Sequence, residues 1–241
     1  MGYVAKGGKT IAGARIGMLL LESQFPRIVG DGGNARTWPF PMLYEVVTGA
    51  NPRNVVLEDA RALLPLFSEA AKRLVARGAD GITTNCGFLV LLQDALADAC
   101  GAPVAASSLL QVPWVQPLLP PTQRVGVITI SERTLTPAHL TAAGAPLDTP
   151  IVGTESGDTF YRVIVNDELS LDVDKARDDI IRAGQSLCDA HPDVGAIVLE
   201  CTNMSPYSRA LSVAVERPVY DFYSFVSWFH TGLSPRRFRL D

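Results

Sequence analysis

The sequence predicts an α/β protein of two pseudo-symmetric lobes, each built on a parallel sheet. Three observations predict it. Short apolar runs of strand length alternate with segments of helical periodicity. The order then restarts midway, where RVGVITI (Arg124–Ile130) repeats RIGMLLL (Arg15–Leu21) with Arg and Gly in register. Finally, each half closes a later apolar run in a cysteine beside Thr and Asn, in GITTNCG around Cys86 and AIVLECTNM around Cys201. Lobes of this pattern are Rossmann-like or flavodoxin-like, with ligands bound outside the carboxyl ends of the strands.

Each element has its reason. Arg15–Leu21 is a continuous apolar run, the kind buried on both faces of a parallel sheet. Asp59–Arg77 carries apolar residues at helical spacing and stops at Gly78. Asp80–Thr84 predicts a strand, Gly87–Cys100 a helix and Pro103–Ala106 a third strand. In the second half, Asp172–His191 predicts a long amphipathic helix, Gly195–Glu200 a strand and Asn203–Val215 a helix. The Pro-rich PWVQPLLPP (Pro113–Pro121) is the natural joint. Residues 1–116 are therefore expected to form one lobe and 117–216 the other. Residues 217–241 read as one more strand and helix, expected to pack back on the first lobe.

Composition narrows the function. With 47% hydrophobic and 19% charged residues, the chain of 241 residues is not a disordered one. A net charge of −4, from 25 acids against 21 bases, argues against a nucleic-acid partner, and the basic stretch Arg236–Arg239 reads as a solvated end. No apolar run is long enough to span a membrane, and the start MGYVAKGGKT lacks the apolar core of a signal peptide. The 4 cysteines show no C-x-x-C spacing and read as reduced thiols of a cytoplasmic protein. Gly8-Lys9-Thr10 looks like the end of a phosphate loop, but it precedes the first strand instead of following one. His139, His191 and His230 are scattered, so no metal site is argued, and no lysine stands where a pyridoxal Schiff base would need it. No cofactor is expected.

Cys86 and Cys201 stand at equivalent strand ends, each just before a helix. Free N–H groups there favour thiolate and also bind carboxylates. If the halves face each other, two thiols approach one cleft from opposite sides, which is what proton exchange on both faces of a carbon needs. Thr84, Asn85 and Gly87 in one half, with Thr202 and Asn203 in the other, are the expected neutral donors to a substrate carboxylate. The Gly/Pro-rich segment Pro26–Pro41 adds Asn34, beside Asp31, Gly32 and Gly33, as a candidate for closure over the ligand. Ser107, Ser108 and Thr129, with Ser131, follow strands at the same end and are further candidates. Strand alternation turns Glu200 away from Cys201, predicting a salt bridge or an outer supporting role. Phe88 and Tyr207 read equally as pocket lining or as packing, and Cys100 and Cys188 as packing inside helices.

The two lobes, with Thr-Asn-Cys-Gly at Cys86 and Glu-Cys-Thr-Asn-Met at Cys201, resemble the cofactor-independent aspartate/glutamate racemase superfamily, which includes hydantoin racemases, maleate cis-trans isomerases and arylmalonate decarboxylases. The resemblance implies a site between the lobes, no cofactor, and catalytic roles for Cys86 and Cys201. The sequence departs from the amino-acid racemases, where Asn-Thr typically follows the first cysteine; here Gly87-Phe88 follow. Glutamate racemases usually place His after the second Cys-Thr, and here Asn203 stands there. The expected function is a racemase or epimerase of a small carboxylate, an isomerase assembling as a homodimer. The rival readings are a maleate-type isomerase, a malonate decarboxylase, and a two-lobed binding protein without catalysis.

Overall fold

In the first half, β1 (Ile16–Leu21) lies inside a parallel sheet, paired on both edges and buried at every position but Leu20, as its continuous apolar run requires. The computed structural model describes residues 4, 5, 7–236 and 238. The half continues through β2 (Met42–Val47), α1 (Pro52–Leu57), α2 (Leu64–Arg77), β3 (Gly81–Thr84), α3 (Gln93–Cys100), β4 (Val104–Ala105) and α4 (Val112–Val115). Its sheet runs β2-β1-β3-β4, all pairings parallel.

The second half repeats the plan with β5 (Arg124–Thr129), α5 (Pro137–Ala143), β6 (Ile151–Gly153), α6 (Phe160–Val165), α7 (Val173–Ala190), β7 (Val194–Leu199), α8 (Ser208–Val215) and β8 (Val219–Tyr220). Its sheet runs β6-β5-β7-β8, again parallel. The two orders match strand for strand. The repeated glycines have one job in both lobes: a Cβ on Gly17 would lie 2.9 Å from Leu74 of α2, and one on Gly126 would lie 2.8 Å from Leu187 of α7. Their absence lets the long helices sit close on the central strands.

The final helix, α9 (Phe222–Leu233), packs Phe222, Phe225, Val226 and Phe229 against Ile16, Met18, Trp38 and Ala105 of the first half. The preceding strand does not go with it. β8 pairs with β7, so the expectation that all of 217–241 joins the first lobe is corrected: Val219 and Tyr220 complete the second sheet.

Three helices start later than their periodicity suggests. Asp59 caps a 3₁₀ turn over Ala60–Leu63, and α2 begins only at Leu64, ahead of Pro65, whose missing N–H costs nothing in a first turn. Ser205–Tyr207, with Pro206, delays α8 in the same way. Gly87–Leu92 is likewise 3₁₀ before α3. The lysine of the phosphate-loop look-alike, Lys9, donates to the Gly78 carbonyl at 3.0 Å and pairs with Asp80. Among the described residues no helix is long and apolar enough to cross a membrane. Of the basic stretch 236–239, Arg237 and Arg239 lie outside the described residues.

Candidate active site

The carboxyl ends of β1 and β3 in one lobe meet those of β5 and β7 in the other. At that junction Cys86, Cys201, Asn85, Asn203, Glu200 and Arg27 line one pocket, walled by Leu21, Phe25, Pro52, Val56, Ile130 and Ile164. The pocket is narrow, with about 20 Å³ of room, enough for roughly one water. Helix α1 supplies Pro52 and Val56 to its wall, and α6 supplies Ile164 from the other lobe.

Cys86 follows β3 by two residues and stands at the N-cap of the 3₁₀ turn behind it. Burial pushes its thiol up, and Glu200 pushes the same way; the backbone N–H groups of Phe88 and Leu89 and the Arg27 guanidinium pull against them. Cys201 follows β7 by two residues. Burial again dominates and Glu200 adds to it; the Asn203 N–H pulls against them, and Cys86 and Asp31 add smaller upward pushes. Its Sγ–H donates to Asn203 Oδ1 at 3.4 Å. Both thiols are protonated at rest, but only Cys86 has a cation and two N–H groups ready for its thiolate.

Asn85 is held by the Leu21 N–H, which donates to its Oδ1 at 2.8 Å, while its buried Nδ2 has no partner. That free donor belongs to a pocket residue. Asn203 is oriented by Asp31, which accepts from its Nδ2 and from Arg27 Nη1 at 2.9 Å. Arg27 also donates to Ser23 Oγ at 2.7 Å, and its Cζ lies 4.5 Å from the Phe25 ring centre.

The remaining sequence candidates take structural work instead. Thr84 donates to the Ala106 and Cys86 carbonyls, at 2.7 and 3.0 Å, shaping the turn that carries the thiol. Thr202 donates to the Asn85 carbonyl at 2.6 Å, and Ser108 to the Leu199 and Glu200 carbonyls at 2.6 and 3.0 Å. These bonds tie lobe to lobe. Ser107 caps its own turn, accepting from the Leu109 N–H, and Asn34 accepts from the Arg36 N–H within the Pro26–Pro41 segment. Thr129 donates to Glu200 Oε2 at 2.7 Å, and Ser131 to Glu155. Gly87 lies against Glu200, whose Oε1 a Cβ there would overlap. None of these seven predicted residues, Thr84, Gly87, Thr202, Asn34, Ser107, Ser108 and Thr129, lines the pocket. Phe88 packs edge-on against His139, and Tyr207 against Phe160.

Two charged residues were not expected there. Glu200 is corrected: β7 ends at Leu199, so the alternation that would turn Glu200 away has already stopped. It is buried and, among the described residues, has no ion pair to a cation, its hydrogen bonds coming from neutral donors, and burial raises its carboxyl to about 7. Arg27 adds a charge to the expected neutral donors; its place in a Gly/Pro-rich segment after the first strand, shared with Arg36, was its only signal in the sequence.

No family model matches the chain. Its sequence is 26% identical over 230 residues to the dimethylsulfoniopropionate lyase of Durusdinium sp. clade D, covering 91% of this chain and 75% of that one. It is 28% identical to dimethylsulfoniopropionate lyase 7 of Emiliania huxleyi, covering 90% and 67%. Dimethylsulfoniopropionate lyase 5 of the same alga is 27% identical, and the chain spans 45% of its length. By structure, arylmalonate decarboxylase superposes with a TM-score of 0.60 at 16% identity, covering 93% of this chain and 95% of that one. The glutamate racemase of Francisella tularensis in complex with D-glutamate gives 0.58 at 16%, covering 92% and 81%, and the aspartate racemase of Picrophilus torridus 0.55 at 14%, covering 94% and 96%.

These relatives correct the expected reaction. The racemase or epimerase, and the isomerase class with it, is overturned by sequence relatives that are lyases. Two thiols across one pocket are compatible with two-sided proton exchange, yet a reaction that needs one base can use the same frame, so their number did not fix the reaction. The chain has the two-lobed fold of the aspartate/glutamate racemase superfamily.

Proposed function

We propose that this protein is a lyase that eliminates an onium leaving group from a small propionate, with dimethylsulfoniopropionate as the first substrate to test. The supporting observation is the composition of one pocket: a guanidinium and a free amide donor, two thiols, and an apolar wall with an aromatic ring. Arg27 and Asn85 Nδ2 suit the carboxylate. Phe25, Leu21, Val56 and Ile164 suit the methyl groups and, through the ring, the positive sulfur.

The chemistry then follows from charge. The carbon beside the carboxylate carries the acidic proton, and the Cys86 thiolate takes it. The freed electron pair forms the carbon–carbon double bond, and the bond from the β-carbon to sulfur breaks with its pair going to sulfur. Dimethyl sulfide departs neutral and acrylate remains. Because the leaving group needs no proton, one thiol suffices as base, and Cys201 stays protonated on Asn203. Donors aimed at the carboxylate meet the charge that grows there in the transition state.

The test is product analysis. Purified protein given dimethylsulfoniopropionate should yield dimethyl sulfide in the headspace and acrylate by proton NMR in equal amounts. Failure to form either product, with substrate recovered intact, overturns the reading.

A further inference from the structure

Resting on that reading, a question remains that the two thiols do not answer: where the Cys86 proton goes. We propose that Glu200 is the positioning residue that accepts it, holding the proton while Cys86 works as the base and passing it to solvent when the product leaves.

Three independent features of the geometry carry this. First, Glu200 lines the same pocket as Cys86 and Cys201 although it lies past the end of β7. Second, both hydrogen bonds it accepts, from Thr129 Oγ1 at 2.7 Å and from the Ile130 N–H at 3.4 Å, fall on Oε2. Third, its Oε1 occupies the notch left by the missing side chain of Gly87, the residue that follows Cys86; any Cβ there would displace it. Asp31, the carboxylate behind Arg27 and Asn203, is engaged by both of them. Among the described residues no cation pairs with Glu200. A buried carboxylate with one fixed oxygen and one directed at a thiol-bearing turn is placed to exchange a proton. Its raised acidity range, about 7, lets it do so in neutral solution. The charged and titratable groups that share the pocket with it are Cys86 on the turn after β3, Cys201 beside it, and Arg27 from the segment after β1.

The protons balance. Cys86 Sγ–H passes its proton to the Glu200 carboxylate, and the thiolate then takes the proton from the substrate carbon as the sulfonium bond breaks. Cys86 is again a thiol, Glu200 is an acid, and one proton leaves per turnover. The substrate is a zwitterion and the products are an anion and a neutral sulfide, so one proton must be released.

The experiment reads Cys86 alkylation by iodoacetamide against pH, by mass spectrometry of its peptide, beside dimethyl sulfide release on the same samples. Wild type should show an alkylation rate rising with an inflection near pH 7. Glu200→Gln should lose the inflection, its alkylation rate climbing on through the alkaline range where wild type levels off, with kcat at neutral pH falling and KM held within a few fold. Thr129→Val, which removes the donor that favours the carboxylate, should move the inflection to higher pH and decides the matter together with wild type if Glu200→Gln does not fold. A wild-type profile without an inflection near neutrality, or profiles that coincide across the variants, overturns the proposal. Sulfide release with a flat alkylation profile sinks this inference alone; the expected profile without sulfide release sinks the lyase reading alone.

Discussion

At the scale of single residues, Arg27 and Asn85 divide the work of holding a carboxylate. Arg27 brings charge, and Asn85 brings a donor whose other end is already fixed by the Leu21 N–H. Arg27→Met keeps length and loses the charge-assisted bond, so KM for the substrate should rise about 10- to 100-fold, with a smaller change in kcat, in steady-state kinetics of sulfide release. Arg27 also orients Asp31, so some loss of order in Asn203 accompanies the change. The thiols, Asn85 and Asn203 were legible in the sequence because they repeat at equivalent strand ends. Arg27 and Glu200 were not. Nothing in the loop sequence sets Arg27 apart from Arg36, since an irregular segment has no period, and the alternation rule applied to Glu200 holds only while the strand lasts.

At the scale of elements, the duplication is carried by close contact between the central strands and their long helices. Gly17 and Gly126 have no room for a side chain above them. Gly17→Val and Gly126→Val should each cost about 1–3 kcal/mol by overpacking, as measured by urea unfolding, and the two costs should be alike because the contacts are alike. The central strands and long helices were readable from these sequences. β2, β6, α1, α4, α5 and α6 were not predicted. β6 and these helices are short, and β2, though as long as β1, exposes part of its length, with Val46 about half exposed, so it does not read as a continuous buried run. Proline at the start of α2 and in the turn before α8 set helix starts that hydrophobic spacing alone places too early.

At the scale of the whole molecule, the lobes are joined by hydrogen bonds from Ser108 and Thr202 across the junction, and the cavity between them holds little more than one water. Substrate must part this wall to reach the thiols. Burying Glu200 also leaves a mark on stability. Its folded range, about 7, lies above its ordinary 4.5, so the contribution it makes is fully present below about pH 4.5 and is lost as pH rises to about 7. Glu200→Gln removes that loss. Its unfolding free energy relative to wild type should therefore grow between about pH 5 and pH 8, by on the order of 3 kcal/mol. His139, buried and lowered from 6.5 to about 4, slopes the other way in both proteins, losing its contribution as pH falls from about 6.5, and cancels from the comparison. The account as a whole stands on one atom, the sulfur of Cys86, removing the proton beside the carboxylate. The direct measurement is dimethyl sulfide release by Cys86→Ser and Cys201→Ser against wild type at neutral pH. The account predicts a loss of about 10²–10⁴-fold for Cys86→Ser and a much smaller loss for Cys201→Ser. Equal losses, or release by Cys86→Ser at the wild-type rate, would contradict it.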